Sequence, residues 1–325
     1  MTNLNIRPFE PTDAEYEAVV DLVNRVWPDD PSSVEHWRDS DSKRNPNYLF
    51  QRFVCEVPSE NGASKIAAVG ACWESAWAYK PGKYGLDFDV APDCEGQGLD
   101  EPMYSYITQF LATREPAPVE LKTHVREDKV DRVTFFAQQN FQQTMREPDS
   151  QLNVGAFDFA PFDGVIDQVT GSGFKIETIA DLQKWDENWM QKVYDLENAI
   201  DEDVPDTDDP TPQPLEEYAK RFDRSNIRPD AWFIALDGDQ YVGMSTLWPS
   251  TVLKDKLYVG VTGVLRSHRR RRIALALKLK TVEFAKAYGA KIIETGNEEN
   301  NPMYELNMKL GFKPIPAWLT LEKKY

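Results

Sequence analysis

Val264-Leu265-Arg266-Ser267-His268-Arg269-Arg270-Arg271-Arg272-Ile273-Ala274 joins a strand-like run, Tyr258 to Leu265, to a long helical stretch, Ile273 to Tyr288. A loop that feeds a helix N-terminus presents unpaired N–H groups and the positive end of the helix dipole, which suits a pyrophosphate. The four consecutive arginines add Coulomb attraction and forked donors for phosphate oxygens. Read alone, such a run is a solvated basic patch or a nucleic-acid tract. Its place at a strand-to-helix junction favours the phosphate reading.

Working outward, the elements around this loop occur twice along the chain, and that repetition carries more weight than any single motif. The first half opens with the strand-like Leu4 to Phe9. A helix follows, capped by Thr12, with Tyr16, Val19, Val20, Leu22 and Val23 at helical spacing. The second half opens with Phe174 to Ile179, and its helix carries Leu182, Trp185, Trp189, Val193 and Leu196. Each half then has a hairpin, around Glu60-Asn61-Gly62 in the first and Asp237-Gly238-Asp239 in the second. A strand, a charged or glycine-bearing loop and a long helix come next. A strand, a helix and a final strand pair close each half. The order β-α-α-β-β-β-α-β-α-β-β, given twice, predicts two mixed α/β domains, residues 1–165 and 166–325. The boundary is set where Gly164, Gly171, Ser172 and Gly173 loosen the chain.

Downstream of the arginine loop stands Asn301-Pro302-Met303-Tyr304-Glu305-Leu306-Asn307-Met308-Lys309-Leu310-Gly311-Phe312. The two segments together resemble the GNAT acetyltransferases, over essentially all of residues 174–325. In that family a strand ending in Val runs into a Q/R-x-x-G-x-G/A turn, and a closing helix starts at Asn and ends in Gly-Phe. Arg269 matches the first loop position and Ala274 the last. The resemblance implies two tandem acyl-CoA-binding folds and acetyl-CoA as the acyl donor. It implies a cofactor site made of Val264, Leu265, Arg269, Arg270, Arg271, Arg272, Ile273, Ala274, Asn301 and Tyr304. Arg272 departs from the pattern, since it stands where the family has Gly. Either it follows a helical φ and still donates its N–H, or it marks a weakened site.

Asp89 to Asp100 in the first half aligns with the same loop. Gly96 and Gly98 fit, but Glu95 replaces the Gln/Arg and Asp100 the final Gly/Ala. Carboxylates there oppose a pyrophosphate. Val130 stands where the closing helix should open with Asn, and Asn140 where Gly is usual. This half is therefore expected to keep the fold more faithfully than the cofactor site.

Transfer of an acyl group to an amine requires oxyanion stabilisation, loss of a proton from the amine and reprotonation of the thiolate. Where many family members have a Tyr, four residues before the Gly of Gly-Phe, this chain has Asn307 and Phe136. Where histone-modifying members have a Glu, it has Tyr258 and Tyr84. Glu294, Glu298 and Tyr304 are the nearest catalytic candidates, against a reading of all three as surface groups. The segment from Asp195 to Glu217 contains ten carboxylates and neither Lys nor Arg. It is read either as a rim attracting a cationic amine or as a solvated acidic loop.

Composition limits the alternatives. The 325 residues allow two cores, and 41% apolar with 12% aromatic residues suits a globular chain. No run reaches the roughly 18 to 20 apolar residues that span a bilayer, and Met1 to Glu10 lacks a secretory pattern. A cytoplasmic protein without membrane partners is expected. Cys55, Cys72 and Cys94, with His36, His124 and His268, show no metal-ligand spacing, so no metal is expected. The formal charge of −17 repels phosphate backbones, so nucleic acid is not the expected partner. An N-acyltransferase acting in the second half is the reading adopted. The alternative is a CoA-sensing or scaffold protein that binds without turnover.

Overall fold

The computed structural model describes residues 4–58, 64–224 and 226–325. The expected hairpin turn at Glu60-Asn61-Gly62 lies outside these residues. The chain forms two compact units, one of residues up to Met145 together with Trp318–Tyr325, the other of Arg146–Ala317.

The first unit contains β1 (Asn5–Pro8), α1 (Asp13–Val26), α2 (Val34–Ser42), β2 (Phe50–Pro58), β3 (Ser64–Trp73) and β4 (Lys83–Val90). It continues with α3 (Asp100–Leu111), β5 (Glu120–Arg126), α4 (Val130–Gln138) and β6 (Gln142–Glu147). Thr12 caps α1 as expected, accepting the Glu15 N–H at 3.3 Å. The apolar spacing of α1 buries Tyr16, Val19, Val20, Leu22 and Val26.

The second unit holds β7 (Asp149–Asn153), α5 (Val165–Gly171), β8 (Phe174–Thr178), α6 (Ile179–Leu182), α7 (Trp189–Asp201) and α8 (Leu215–Ala219). Next come β9 (Trp232–Asp237), β10 (Gln240–Pro249), β11 (Lys256–Val264), α9 (Ile273–Tyr288), β12 (Ile292–Gly296), α10 (Pro302–Lys309) and β13 (Lys313–Pro314). The last strand, β14 (Trp318–Lys324), belongs to the first unit.

The two sheets have the same plan. The first runs β1-β2-β3-β4-β5-β14-β6 and the second β8-β9-β10-β11-β12-β7-β13. The order β-α-α-β-β-β-α-β-α-β-β is present in both, as the sequence suggests. The final strand pairs differ from expectation, because each unit takes its sixth strand from the other half of the sequence. β14 pairs with β5 from Trp318↔Arg126 to Lys324↔Glu120, and β7 pairs with β12 from Asn153↔Ile292 to Asp149↔Gly296.

The compact units therefore divide after Met145, not between residues 165 and 166, and the chain returns to the first unit at Trp318. The stretch expected to be a loose boundary is instead the helix α5. Val165 and Val169 are buried there in one core with the α9 residues Leu279 and Val282. The helix expected through Trp185 is broken into α6 and α7, and Trp185 itself is 52% exposed, donating its indole N–H to Glu177.

In both sheets the parallel pair of strands separates early. β4 and β5 are paired only at Lys83↔Glu120, Tyr84↔Leu121 and Gly85↔Lys122, so Leu86 to Val90 run on without β5. β11 and β12 pair only at Lys256↔Ile292, Leu257↔Ile293 and Tyr258↔Glu294, and Val259 to Val264 run on without β12. In each unit the central strand has an unpaired edge that leads straight into the loop before the long helix.

Candidate acyl-donor site

In the second unit β11 ends at Val264 and a short helical turn, Arg266–His268, leads to Arg269. Arg270 and Arg272 then adopt φ of 64° and 62°, and α9 begins at Ile273. Gly96 and Gly98 occupy the same places in the first unit, with φ of 72° and 74°. The loop geometry thus requires two left-handed residues, which glycine adopts freely and arginine only against a local cost of roughly 1–2 kcal/mol each. Of the two readings of Arg272 open in the sequence, the helical φ is the one that does not occur.

The turn exposes donors. The first helical hydrogen bond at this end runs from the Ala276 N–H to the Arg272 carbonyl at 3.0 Å, so the N–H groups of Ile273, Ala274 and Leu275 have no helical acceptor. The Leu265 N–H donates to Val242 of β10. Strand alternation therefore turns the Val264 and Thr262 N–H groups toward the edge that β12 has left. A β-bulge between Ser245 and Leu247 lets Thr246 Oγ1 accept the Val261 N–H at 2.9 Å.

The arginines divide into two groups. Arg269 is tied to its own loop although 45% of its side chain stays exposed, its Nε donating to the Val264 carbonyl at 3.1 Å and its guanidinium pairing with Asp203. Arg266 pairs with the same carboxylate at 2.5 Å. Hydrogen bonds from Arg266 and then Arg269 hold Asp203 below the usual carboxylate range. Arg270, Arg271 and Arg272 stay exposed. Arg271 lies 5.8 Å from the Phe174 ring centre, and Arg272 donates to Gln168 at 3.1 Å. Arg269 is thus a staple within the loop, and the next three residues carry the outward charge.

Asn301 caps α10, its Oδ1 accepting the Met303 N–H at 2.9 Å. Glu294 sits at the last paired rung of β11 and β12, held by Lys256 at 2.9 Å and by Gln151 at 2.6 Å. Glu298 accepts both the backbone and side-chain N–H of Asn300, at 2.9 and 2.7 Å. The half-buried Tyr304 hydroxyl has no hydrogen-bond partner among the described residues. Asn307 is fully buried and donates to Asn297 at 2.6 Å, and its own Oδ1 has no partner among the described residues.

The acidic segment is not one solvated rim. Glu197 is buried beneath Tyr218 and Arg221, at 2.5 and 2.6 Å, and Asp203 is taken by the loop arginines.

The first unit differs at the corresponding edge. The helix α3 begins with Asp100 and Glu101, carboxylates that already complement its dipole, and its third residue is Pro102, which has no N–H to offer. On β4 the buried face carries Tyr84, Leu86, Phe88 and Val90, with Phe88 against Phe135 and Phe136 of α4. Asp87 and Asp89 point to the opposite face, where Asp89 accepts the Trp27 indole N–H at 3.2 Å. Yet Arg132 of α4 bonds both carboxylates, at 2.5 and 2.7 Å. The β3 edge of β4 is paired from Gly85 to Val90, so the side chain passes the β5 edge, through the opening where pairing has ended. Aligning the two loops and the two left-handed helix ends, Asn140 and Gly311, puts Val261, Gly263 and Met303 at these three places in the second unit. There the opening has no such plug. Sequence reading missed this trio, although carboxylates at alternate positions of a strand, Leu86-Asp87-Phe88-Asp89-Val90, were its visible signal.

Residues 190–312 match the family model described as the acetyltransferase (GNAT) family. No curated protein matches the sequence. Among solved structures, a tandem GNAT protein from the clavulanic acid biosynthesis pathway aligns with TM-score 0.75 at 16% identity, over 99% of this chain and 98% of that one. A GCN5-related N-acetyltransferase from Sphaerobacter thermophilus aligns with TM-score 0.71 at 16% identity, over 99% and 95%. A GNAT-family acetyltransferase from Colwellia psychrerythraea aligns with TM-score 0.59 at 12% identity, over 98% and 100%. At these identities the likeness is one of fold, and it extends over both units.

Proposed function

We propose that this chain, built of two GNAT folds in tandem and carrying an acetyltransferase (GNAT) family domain at residues 190–312, transfers an acetyl group from acetyl-CoA to an amine in its second unit. The observation that carries this reading is the turn before α9. Free N–H groups at the helix start, three outward arginines and the unpaired edge of β11 lie in one continuous stretch of backbone. The donor set suits an elongated anionic ligand whose amide-bearing arm lies along a strand edge. Acetyl-CoA supplies the activated acyl group. Arg270, Arg271 and Arg272 and the N–H groups of Ile273 and Ala274 hold its pyrophosphate. The Thr262 and Val264 N–H groups orient its amides and face the developing oxyanion.

For proton handling, Glu294 is committed to Lys256 and Gln151 and Glu298 to Asn300. Tyr304, with its unpartnered hydroxyl, is the group to which we assign reprotonation of the thiolate. A cationic amine as acceptor agrees with the charge of −17. The same charge disfavours nucleic acid, so the arginines serve a local anion. The three cysteines are free and buried, and no helix of the described residues is long and apolar enough to cross a membrane. Both accord with a cytoplasmic protein.

The test is release of CoA thiol by the purified chain with acetyl-CoA and a panel of primary amines and diamines. Amine-dependent release is expected, and Tyr304→Phe should lower kcat by roughly 10²-fold with little change in KM. Tight binding of acetyl-CoA without turnover on any amine would instead establish the CoA-binding scaffold, which the commitment of both glutamates to other partners favours.

A further inference from the structure

The first unit contains a cavity of about 360 Å³ between α2 and the face of β4 that bears Asp87 and Asp89. Its size suits a small metabolite. Its two charged walls are of opposite sign. At the floor, Asp87 and Asp89 share the single guanidinium of Arg132, which leaves one negative charge when both carboxyls are ionised. At the opposite wall Asp41 is bound by two guanidiniums, Arg44 at 3.0 Å and Arg52 at 2.8 Å, which leaves one positive charge.

Each wall keeps unused bonding capacity. Asp87 spends Oδ1 on Arg132 and on the Phe88 N–H, and its Oδ2 has no partner among the described residues. Arg44 spends only Nε on Asp41, and its two terminal nitrogens are likewise without partners. The Arg44 guanidinium lies over the Phe50 ring at 3.3 Å, which fixes the fork in place.

We infer that this cavity binds a small zwitterion of amino-acid size, its ammonium on Asp87 and Asp89 and its carboxylate on Arg44. A neutral ligand wastes both walls, and a singly charged one leaves the other wall's charge without a partner. Burial, reinforced by the Asp89 carboxylate, pushes the Asp87 carboxyl up to about 7. An arriving ammonium favours the ionised form, so binding near neutral pH releases a proton from the floor. The other charged and titratable groups lining the cavity are His36, Asp41, Arg44 and Arg52, with Arg132 behind the two floor carboxylates. The site needs no acyl donor and stands apart from the reading of the second unit.

The experiment is calorimetry on the full chain without acetyl-CoA. The probes are glycine, 4-aminobutanoate, 6-aminohexanoate and lysine, with butylammonium and butanoate as single-charge controls. At least one zwitterion is expected to bind about tenfold tighter than both controls. Near pH 7 its apparent enthalpy should vary with the ionisation enthalpy of the buffer. Asp87→Asn and Arg44→Gln, each checked for an unchanged circular dichroism spectrum, should weaken it about tenfold, and Arg270→Ala with Arg271→Ala should leave it unchanged. Equal binding of zwitterions and controls overturns the inference, as does a zwitterion site that survives both Asp87→Asn and Arg44→Gln.

Discussion

Arg272 carries two effects that separate cleanly. Its φ of 62° is left-handed, so glycine at that place relieves backbone strain. An added Cβ at Gly98, the equivalent residue, meets nothing within 4 Å. The strain is therefore intrinsic to the backbone and not a clash. Arg272→Gly should raise unfolding stability by about 1 kcal/mol, read from urea midpoints. The same change removes a charge from the loop, so acetyl-CoA should bind a few-fold more weakly, with a loss that shrinks at high salt. A tighter complex would show that binding itself demands more of this φ. Lys278 poses a different problem. It is 3% exposed, and burial pushes its ammonium down to about 7. The unfolded chain keeps this lysine protonated to about pH 10, so between about 7 and 10 it binds the extra proton and stability rises with pH. Lys278→Met should flatten that rise and stabilise the protein at pH 7 by roughly 1–3 kcal/mol. Denaturant titrations at pH 7 and 9.5 check it.

At the scale of elements, α9 and α3 share one geometry but differ in what they offer an anion. Both come after a turn with two left-handed residues and both adjoin an unpaired strand edge. α9 opens with free N–H groups and no acidic side chain, whereas Asp100 and Glu101 occupy the first turn of α3. The opening beside β4 is also crossed by Arg132, while Val261, Gly263 and Met303, at the equivalent places beside β11, can form no such ion pairs. Titration with acetyl-CoA should accordingly saturate at one ligand per chain, and Arg270→Ala with Arg271→Ala should weaken that single site without revealing another. Two equivalents bound would mean that Arg132 withdraws. Replacing Arg132 by Met leaves Asp87 and Asp89 without their cation and should cost about 3 kcal/mol of stability.

At the scale of the whole molecule, the exchanged strands make each unit depend on a distant part of the chain. The first sheet includes Trp318–Lys324, whose Leu319 and Leu321 are buried in the first core, at about 1.5–3 kcal/mol each. The second sheet includes Asp149–Asn153, with Leu152 in its core. Cutting between residues 165 and 166 leaves each fragment without its sixth strand. Fragments 1–165 and 166–325 should each be unfolded or aggregated alone and should recover native circular dichroism when refolded together. Deleting residues 318–325 should destabilise the first unit although the cut lies at the far end of the chain. A folded, monomeric 1–165 fragment would show that β6 or another segment closes the sheet in place of β14.

Element order, the duplicated plan and the basic turn that opens a helix were legible in the sequence because they rest on local properties. Apolar period, turn residues and a basic run at a strand-to-helix junction are written within a few residues of one another. The contrast between Arg269 to Ala274 and Glu95 to Asp100 was legible for the same reason. Three matters were decided only by the tertiary structure. β7 and β14 have the composition of any closing strand, so nothing in their residues specifies which sheet they complete. Arg269 reads as a phosphate ligand, but its partner Asp203, which it shares with Arg266, lies 66 residues away in the sequence, and the contacts of Arg132 with Asp87 and Asp89 have no local signal in its own helix. Pairing partners and charge compensation are set by which segments meet in space, and sequence spacing is silent on meetings of that range.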